Sequence, residues 1–339
     1  MIKLNYSLYG MVLCEKIRKL YLSGKKNREI DLDTGSCLHT FGCPPSIAPS
    51  ISKTNQFIAL ANIYRGISVI DIKHDFGTVF KYRPHTNANS RFHAKTIWLE
   101  GKDSFLFAEG KKLYRVDMTL PFCITCIFNG DDSTVCFSDK PSDADSYIMS
   151  FDIIGNDALV VYYRPLSDSF LLKVDVETGK VNKLRSYSQI SPDEIIADQF
   201  GGYYLLTRNY SVLHHVSENR EDDLSTTISM GNTMAVSHNG GIVAIDSMLF
   251  HQAVLLYETK SWNLIASIPV AMPLSSIAFS ELDEFLLICE KKPIIWNIAE
   301  ETTLNSPHCQ VEIVDSQRLY YSLAVGIPTE EPQLQAFSH

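Results

Sequence analysis

The chain is 339 residues long, with 45% hydrophobic and 20% charged residues, proportions that exclude a disordered polymer and a coiled coil. That length can bury a core with no disulfide or metal staple. The formal net charge of −9 argues against a dedicated nucleic-acid binder, and no run approaches the roughly 20 apolar residues that a membrane helix requires.

From the N-terminus, MIKLNYSLYGMVLCEK offers one Lys and then an apolar stretch. Asn5, Tyr6 and Ser7 interrupt that stretch, no small-x-small site follows, and Leu13 precedes Cys14, so neither a signal peptide nor a lipoprotein cysteine is expected. EKIRKLYL at 15–22 is the best helical candidate and reads equally well as a strand. From there on one unit recurs: an apolar strand, a polar turn with Gly, then a second strand. The clearest copies are residues 28–41, 67–82 and 170–184; weaker ones lie at 112–128, 212–228, 254–270 and 293–304. The residue closing the first strand of each is Asp31, Asp71, Asp117, Asp175, Ser217, Glu258 or Asn297. Most steps are roughly 40–46 residues, as in repeats built from four-stranded units; the step from Asp117 to Asp175 is longer.

Each unit follows another strand pair with a tight polar turn, for example residues 50–61, 195–207, 234–245 and 276–290. The pattern predicts an all-β chain: a seven-bladed β-propeller of four-stranded antiparallel blades, read as a single domain over 1–339. One blade cannot bury both its faces alone, and radial stacking covers them. The strand pair at 311–325 lacks a following partner pair and the N-terminal unit looks incomplete. The ring is therefore expected to close through N- and C-terminal strands that share a blade. Residues 131–145, with Asp131, Asp132, Asp139, Asp143 and Asp145, read as an acidic inter-blade insertion loop, and 328–339 as a flexible C-terminal tail.

SSIAFSELDEFLLICEKKPIIWNIAEE at 275–301 follows a strand, Ser-x-x-Asp, strand order, with Ile-Trp-Asn where a Trp-Asp pair is usual. VDVETGKV at 174–181 and IDLDTGSC at 30–37 each carry an Asp-x-x-Thr-Gly turn. In these features the chain resembles the WD-repeat and quinoprotein-like seven-bladed propellers. The resemblance implies the fold and carries over no catalytic residue.

Cofactor and metal signatures are missing. No Gly-x-Ser-x-Gly, Gly-x-Gly-x-x-Gly or Walker sequence occurs, and no His-Glu-x-x-His spacing. Cys123-Ile-Thr-Cys126 has metal-site spacing, yet positions three apart on a strand point to opposite faces. Asp143-Ala-Asp145 supplies only a fragment of a calcium loop. Neither a metal nor a cofactor is expected. Most of the eight cysteines lie in apolar runs such as CITCIF and FLLICE, which favours reduced thiols and a cytoplasmic protein.

Sorting the turns by blade end separates the charge. One face receives Tyr64, Arg65, Arg83, His85, His93, Tyr163, Arg164, Arg208 and Tyr210. The other receives acids, among them Asp33, Glu100, Asp103, Asp157, Glu177, Glu221 and Asp283. Tyr and Arg dominate interface anchors, and Arg forks onto carboxylates. The primary expectation is a non-catalytic scaffold that binds a protein partner, through an acidic segment, on the aromatic and cationic face. The alternative is a hydrolase or lyase with a small-molecule or carbohydrate site in the central channel. No membrane partner is expected.

Overall fold

The computed structural model describes residues 8–24, 26–46, 48–62, 65–84, 93, 95–132, 145–165, 168–188, 191–198, 200–207, 212–217, 220–224, 233–247, 253–270, 274, 276–289, 294–298, 309–311 and 320–322. Tyr64, His85, Arg208 and Tyr210 fall outside them, as do the bulk of the acidic insertion and residues 328–339.

Seven antiparallel sheets follow one another along the chain. Blade 1 is Leu8–Cys14, Lys19–Gly24, Asn27–Asp31 and Cys37–Phe41; blade 2 is Ser50–Ile51, Phe57–Asn62, Gly66–Asp71 and Gly77–Tyr82. Blade 3 is Ile97–Trp98, Ser104–Glu109, Lys112–Asp117 and Cys123–Asn129; blade 4 is Tyr147–Ile154, Asp157–Tyr163, Ser169–Asp175 and Val181–Tyr187. Blade 5 is Glu194–Ala197, Tyr203–Thr207, Val212–Ser217 and Arg220–Asp223; blade 6 is Met234–Val236, Ile242–Ser247, Ala253–Glu258 and Leu264–Pro269. Blade 7 has Ser276–Phe279, Phe285–Cys289 and Ile294–Asn297, and a separate hairpin pairs Cys309–Val311 with Tyr320–Ser322. Among the described residues the only helical element is the short 3-10 turn Glu15–Ile17, and no helix is long and apolar enough to cross a membrane.

The core explains the ring. Among the described residues seven clusters of buried apolar side chains occur, and each joins two neighbouring blades. Phe57, Val69 and Phe80 of blade 2 meet Trp98, Phe105 and Val116 of blade 3. Met11, Leu20 and Ile30 of blade 1 meet Leu287, Cys289 and Ile295 of blade 7, so the circuit returns to its start. Alternating apolar residues on both faces of the middle strands are what this stacking buries, at roughly 25 cal/mol per Å² of apolar surface. The strand Gly66–Asp71 is buried throughout, whereas outermost strands such as Val181–Tyr187 stay largely exposed. First strands of consecutive blades approach one another and surround the axis.

The Asp-x-x-Thr-Gly turns form as their chemistry dictates. Asp31 Oδ1 accepts from the amide and hydroxyl of Thr34 at 2.7 and 2.8 Å, and Asp175 Oδ1 does the same with Thr178. Gly35 and Gly179 supply the left-handed backbone that ends each turn. At Asp31 the Thr34 amide and hydroxyl hold the carboxyl below its ordinary pKa.

Blade 1 differs from expectation. All four of its strands come from residues 8–41 in chain order, so a blade shared by the two ends of the chain is not found among the described residues. The ambiguous segment 15–22 splits into the 3-10 turn and a full strand, which completes the blade from the N-terminal side alone.

Candidate interaction face

Antiparallel meander geometry sends the turns between second and third strands, and the links between blades, to one face of the ring. At that face of blade 2, Arg65 N donates to Asn62 O at 3.2 Å, and the Asn62 side-chain amide donates to Pro45 O at 2.6 Å. The next residue, Gly66, has φ +80° and lies hard against the link to blade 3. A Cβ at Gly66 would sit 2.0 Å from Tyr82 O and 2.7 Å from Pro84 Cδ. Arg65 and Arg83 therefore flank one backbone crossing, and both are exposed. Among the described residues neither guanidinium has a carboxylate partner.

Tyr82 anchors this corner. Its ring packs 4.6 Å from Phe107 and its hydroxyl donates to the Glu109 carboxylate. Burial first, and then that carboxylate, push the phenol pKa far above its ordinary value. The side chain is thus a neutral donor, and the backbone carrying Arg83 is pinned to blade 3.

His93 lies half-buried at the seam between blades 3 and 4. Its amide donates to Ala108 O at 3.1 Å, extending the line of blade 3's first strand, and its ring lies 6.3 Å from that of Phe151 in blade 4's first strand. Lys95, which the sequence did not single out, donates to Phe151 O at 2.9 Å across the same seam. Lys111 is taken up by Asp131 at 2.7 Å.

Tyr163 is half-buried, with its ring 5.2 Å from that of Tyr147. Arg164 is only 5% exposed, with its guanidinium 5.7 Å over the Phe170 ring and its amide donating to Ser169 Oγ at 3.1 Å. It packs within blade 4 and does not project from the face. Arg65 and Arg83 thus stand exposed on either side of the Gly66 crossing, His93 and Tyr163 are half-buried, and Arg164 is buried.

On the opposite face several of the expected acids are paired. Asp33 pairs with Arg18 at 2.7 Å, Glu100 with Lys53 at 2.8 Å, and Asp157 with Lys173 at 2.9 Å. Glu177 receives both Lys102 and Arg115, and Glu221 receives Arg185 through both guanidinium nitrogens. Asp283 takes the amides of His238 and Asn239, each at 2.7 Å. Several of these bonds run from blade to blade, so the acids stitch neighbouring turns together.

Polar groups of the innermost strands are likewise engaged in the fold. Ser50 and Thr96 share a hydrogen bond of 2.6 Å between blades 2 and 3, and Ser150 and Asp152 accept from the amides of Ile195 and Ala197. Among the described residues no three His, Cys, Asp or Glu side chains gather as a metal site would require. Cys123 and Cys126 stand in unbroken register opposite Asp117 and Tyr114, so their side chains point to opposite faces of the strand.

No family model and no curated protein sequence matches the chain. Solved structures do. The β-propeller domain of Myceliophteria thermophila Cps50 (Swd1) superposes with a TM-score of 0.63 at 12% identity, over 84% of this chain and 93% of that one. The WD40 repeats of RRP9 give a TM-score of 0.62 at 12% identity, over 84% and 87% of the two chains. A chain of Kuenenia stuttgartiensis hydrazine synthase gives 0.63 at 12% identity, over 88% and 97%. At such identities the likeness establishes the seven-bladed β-propeller fold and nothing about activity.

Proposed function

We propose that the chain is a cytoplasmic protein-interaction scaffold whose working corner is formed by Arg65 and Arg83 and receives an acidic segment of a partner protein. The supporting observation is the Gly66 crossing, which holds two exposed guanidinium-bearing residues side by side on a rigid backbone. Two exposed guanidinium groups carried on touching backbone segments, without carboxylate partners among the described residues, suit bidentate capture of Asp or Glu, or of phosphate on a modified side chain. Tyr163 and His93 contribute the flanking contact surface, and Tyr64, His85, Arg208 and Tyr210 belong to the same proposed face. Arg164 serves the fold in this reading. The free cysteines, including the buried Cys14 and Cys289, support a reducing compartment.

The test is affinity capture from lysate of the source cell, with the wild-type chain compared with the double variant Arg65→Glu, Arg83→Glu. Both residues are exposed, so the variant should keep the wild-type melting temperature to within the small shifts typical of surface changes, about 0.5 kcal/mol. A stoichiometric protein held by the wild type and lost by the variant is the expected result. Equal capture by both baits would show that this corner is not the working site.

A further inference from the structure

Charge is spread unevenly along the chain. Residues 1–99 carry 14 Lys and Arg against 6 Asp and Glu, although the whole chain has a net charge of −9. The six acids are Glu15, Glu29, Asp31, Asp33, Asp71 and Asp75. Glu29 is buried against Lys19 and Tyr21 inside blade 1. Glu15 follows the first strand of its blade, and the other four close or follow third strands, so all five lie toward the face opposite the Arg65–Arg83 corner. No Asp or Glu therefore falls in the turns and links that blades 1 and 2 place at the corner's own face.

Four exposed cations do fall there: Lys26 in the blade 1 turn, Arg65 in the blade 2 turn, and Lys81 and Arg83 where the last strand of blade 2 runs into the link to blade 3. None has a carboxylate partner among the described residues. The backbone segments that carry them touch. The side-chain amide of Asn27, next to Lys26, donates to Cys43 O at 2.8 Å, and that of Asn62 donates to Pro45 O at 2.6 Å. Lys81 lies close enough to Cys43 to act electrostatically on its thiol. Gly66, next to Arg65, abuts Tyr82 O and Pro84, the two neighbours of Arg83. On the same face exposed acids stand around blade 4, at Asp145 before its first strand and Asp168 in its second turn. The positive region thus belongs to blades 1 and 2.

We propose that Lys26, Arg65, Lys81 and Arg83 form one site, and that the partner segment it captures is phosphorylated at two closely spaced positions. This inference rests on the scaffold reading and names the chemistry of its partner. A carboxylate paired with an exposed Lys or Arg contributes little, because water and salt screen the pair. A phosphate brings about −1.5 to −2 charge and three acceptor oxygens, which Arg meets bidentately. Cations as exposed as these therefore favour phosphate over carboxylate. Four like charges with no acid among them also gain most from a ligand that carries several negative charges over a short span. Asp145 and Asp168 repel a long nucleic acid laid across the face, whereas a short segment on blades 1 and 2 avoids them.

The probe is a fluorescent decapeptide with phosphoserine at two alternate positions, compared by anisotropy with the same peptide carrying Glu or Ser there. Wild type should hold the phosphorylated form at least about tenfold more tightly than the Glu form. The double variant Lys26→Glu, Lys81→Glu keeps both arginines and should bind the phosphorylated form about tenfold more weakly or worse. Both lysines are exposed, so the fold should survive. Lys26→Ala, Lys81→Ala, with an expected loss of about threefold, replaces that variant if it does not. Equal binding of the Glu and phosphoserine forms, or indifference to the lysine substitutions, would overturn the proposal. So would tighter binding of tripolyphosphate or of a single-stranded RNA decamer, since the occupant would then be a free polyanion or a nucleic acid. Phosphatase treatment of the lysate separates this inference from the reading it rests on. Capture abolished by phosphatase supports both, and capture that survives it keeps the scaffold and removes the phosphate. A peptide bound as expected, with no protein captured from lysate, keeps the phosphate site and removes the scaffold.

Discussion

The carboxylate of Glu15 in blade 1 accepts a hydrogen bond from the hydroxyl of Ser280 in blade 7, across 265 residues of sequence. The same carboxylate takes the backbone amides of Leu282 and, at 3.2 Å, Glu284. Glu15 is 4% exposed. One acid therefore caps the first turn of blade 7 from the blade on the other side of the seam. Nothing covalent joins the two blades there, so this cap and the apolar cluster around Met11 and Leu287 hold the ring shut.

Glu15→Ala removes the acceptor of the Leu282 and Glu284 amides and of the buried Ser280, whose hydroxyl keeps only Phe285 O at 3.0 Å, and losing such partly buried bonds to a charged group costs about 1–3 kcal/mol. The neighbouring Lys16 pairs with Glu281 at 2.9 Å but is half-exposed, and such surface pairs contribute about 0–1 kcal/mol. Urea denaturation should therefore show a loss of about 2 kcal/mol or more for Glu15→Ala and a much smaller one for Lys16→Ala. Equal losses would mean that the seam is held by its apolar cluster alone.

A second seam makes the ring sensitive to acid. Burial by itself would raise the Asp283 carboxyl, but the His238 ring and the amides of His238 and Asn239 outweigh it and lower the pKa. Asp198 is lowered in the same way: burial opposes, and the His215 ring with the amides of Gly202 and Phe200 prevails. A carboxyl whose folded pKa lies below its unfolded value of about 3.9 stabilises the fold above that value and loses the contribution as pH falls through the folded pKa. Urea midpoints should hold steady from neutral pH down to about 5 and then fall steeply. Asp283→Asn should be less stable than wild type at neutral pH by about 1–2 kcal/mol and should show a shallower fall in acid. A parallel fall in both proteins would assign the acid sensitivity elsewhere.

Sequence reasoning reaches furthest where chemistry is local. The Asp-x-x-Thr-Gly turns, the strand pairs and their recurrence specify a propeller and its number of blades, because each depends on residues a few positions apart. It stops where partners come from other blades. Glu100 and Glu177 read as free acids until Lys53 and Lys102 arrive from neighbouring turns. Tyr64-Arg65 and Tyr163-Arg164 look alike on paper, yet Arg65 is exposed while Arg164 turns onto Phe170. The Gly66 crossing was equally invisible, since Gly66 and Tyr82 belong to strands whose approach is set by pairing of Ile67 with Tyr82.

That crossing makes a sharp prediction about glycine. Gly66 and Gly101 both have left-handed backbone, φ +80° and +67°, a conformation that costs an L-residue about 1–2 kcal/mol. Around Gly101 nothing lies within 4 Å, so Gly101→Ala should cost only that conformational amount. At Gly66 the new methyl would fall 2.0 Å from Tyr82 O, and backbone cannot swing aside as a flexible side chain can. Gly66→Ala must therefore push the blade 2 turn away from the link to blade 3. Its loss of stability should exceed that of Gly101→Ala by about 2 kcal/mol or more, given the usual penalty for overpacking. It should also weaken partner capture although it deletes no side chain, because Arg65 and Arg83 would no longer be held together. Thermal melts of the two variants, run beside the capture experiment, test both consequences. Comparable stability of the two would show that the blade 2 turn relaxes freely and that the corner is not rigid.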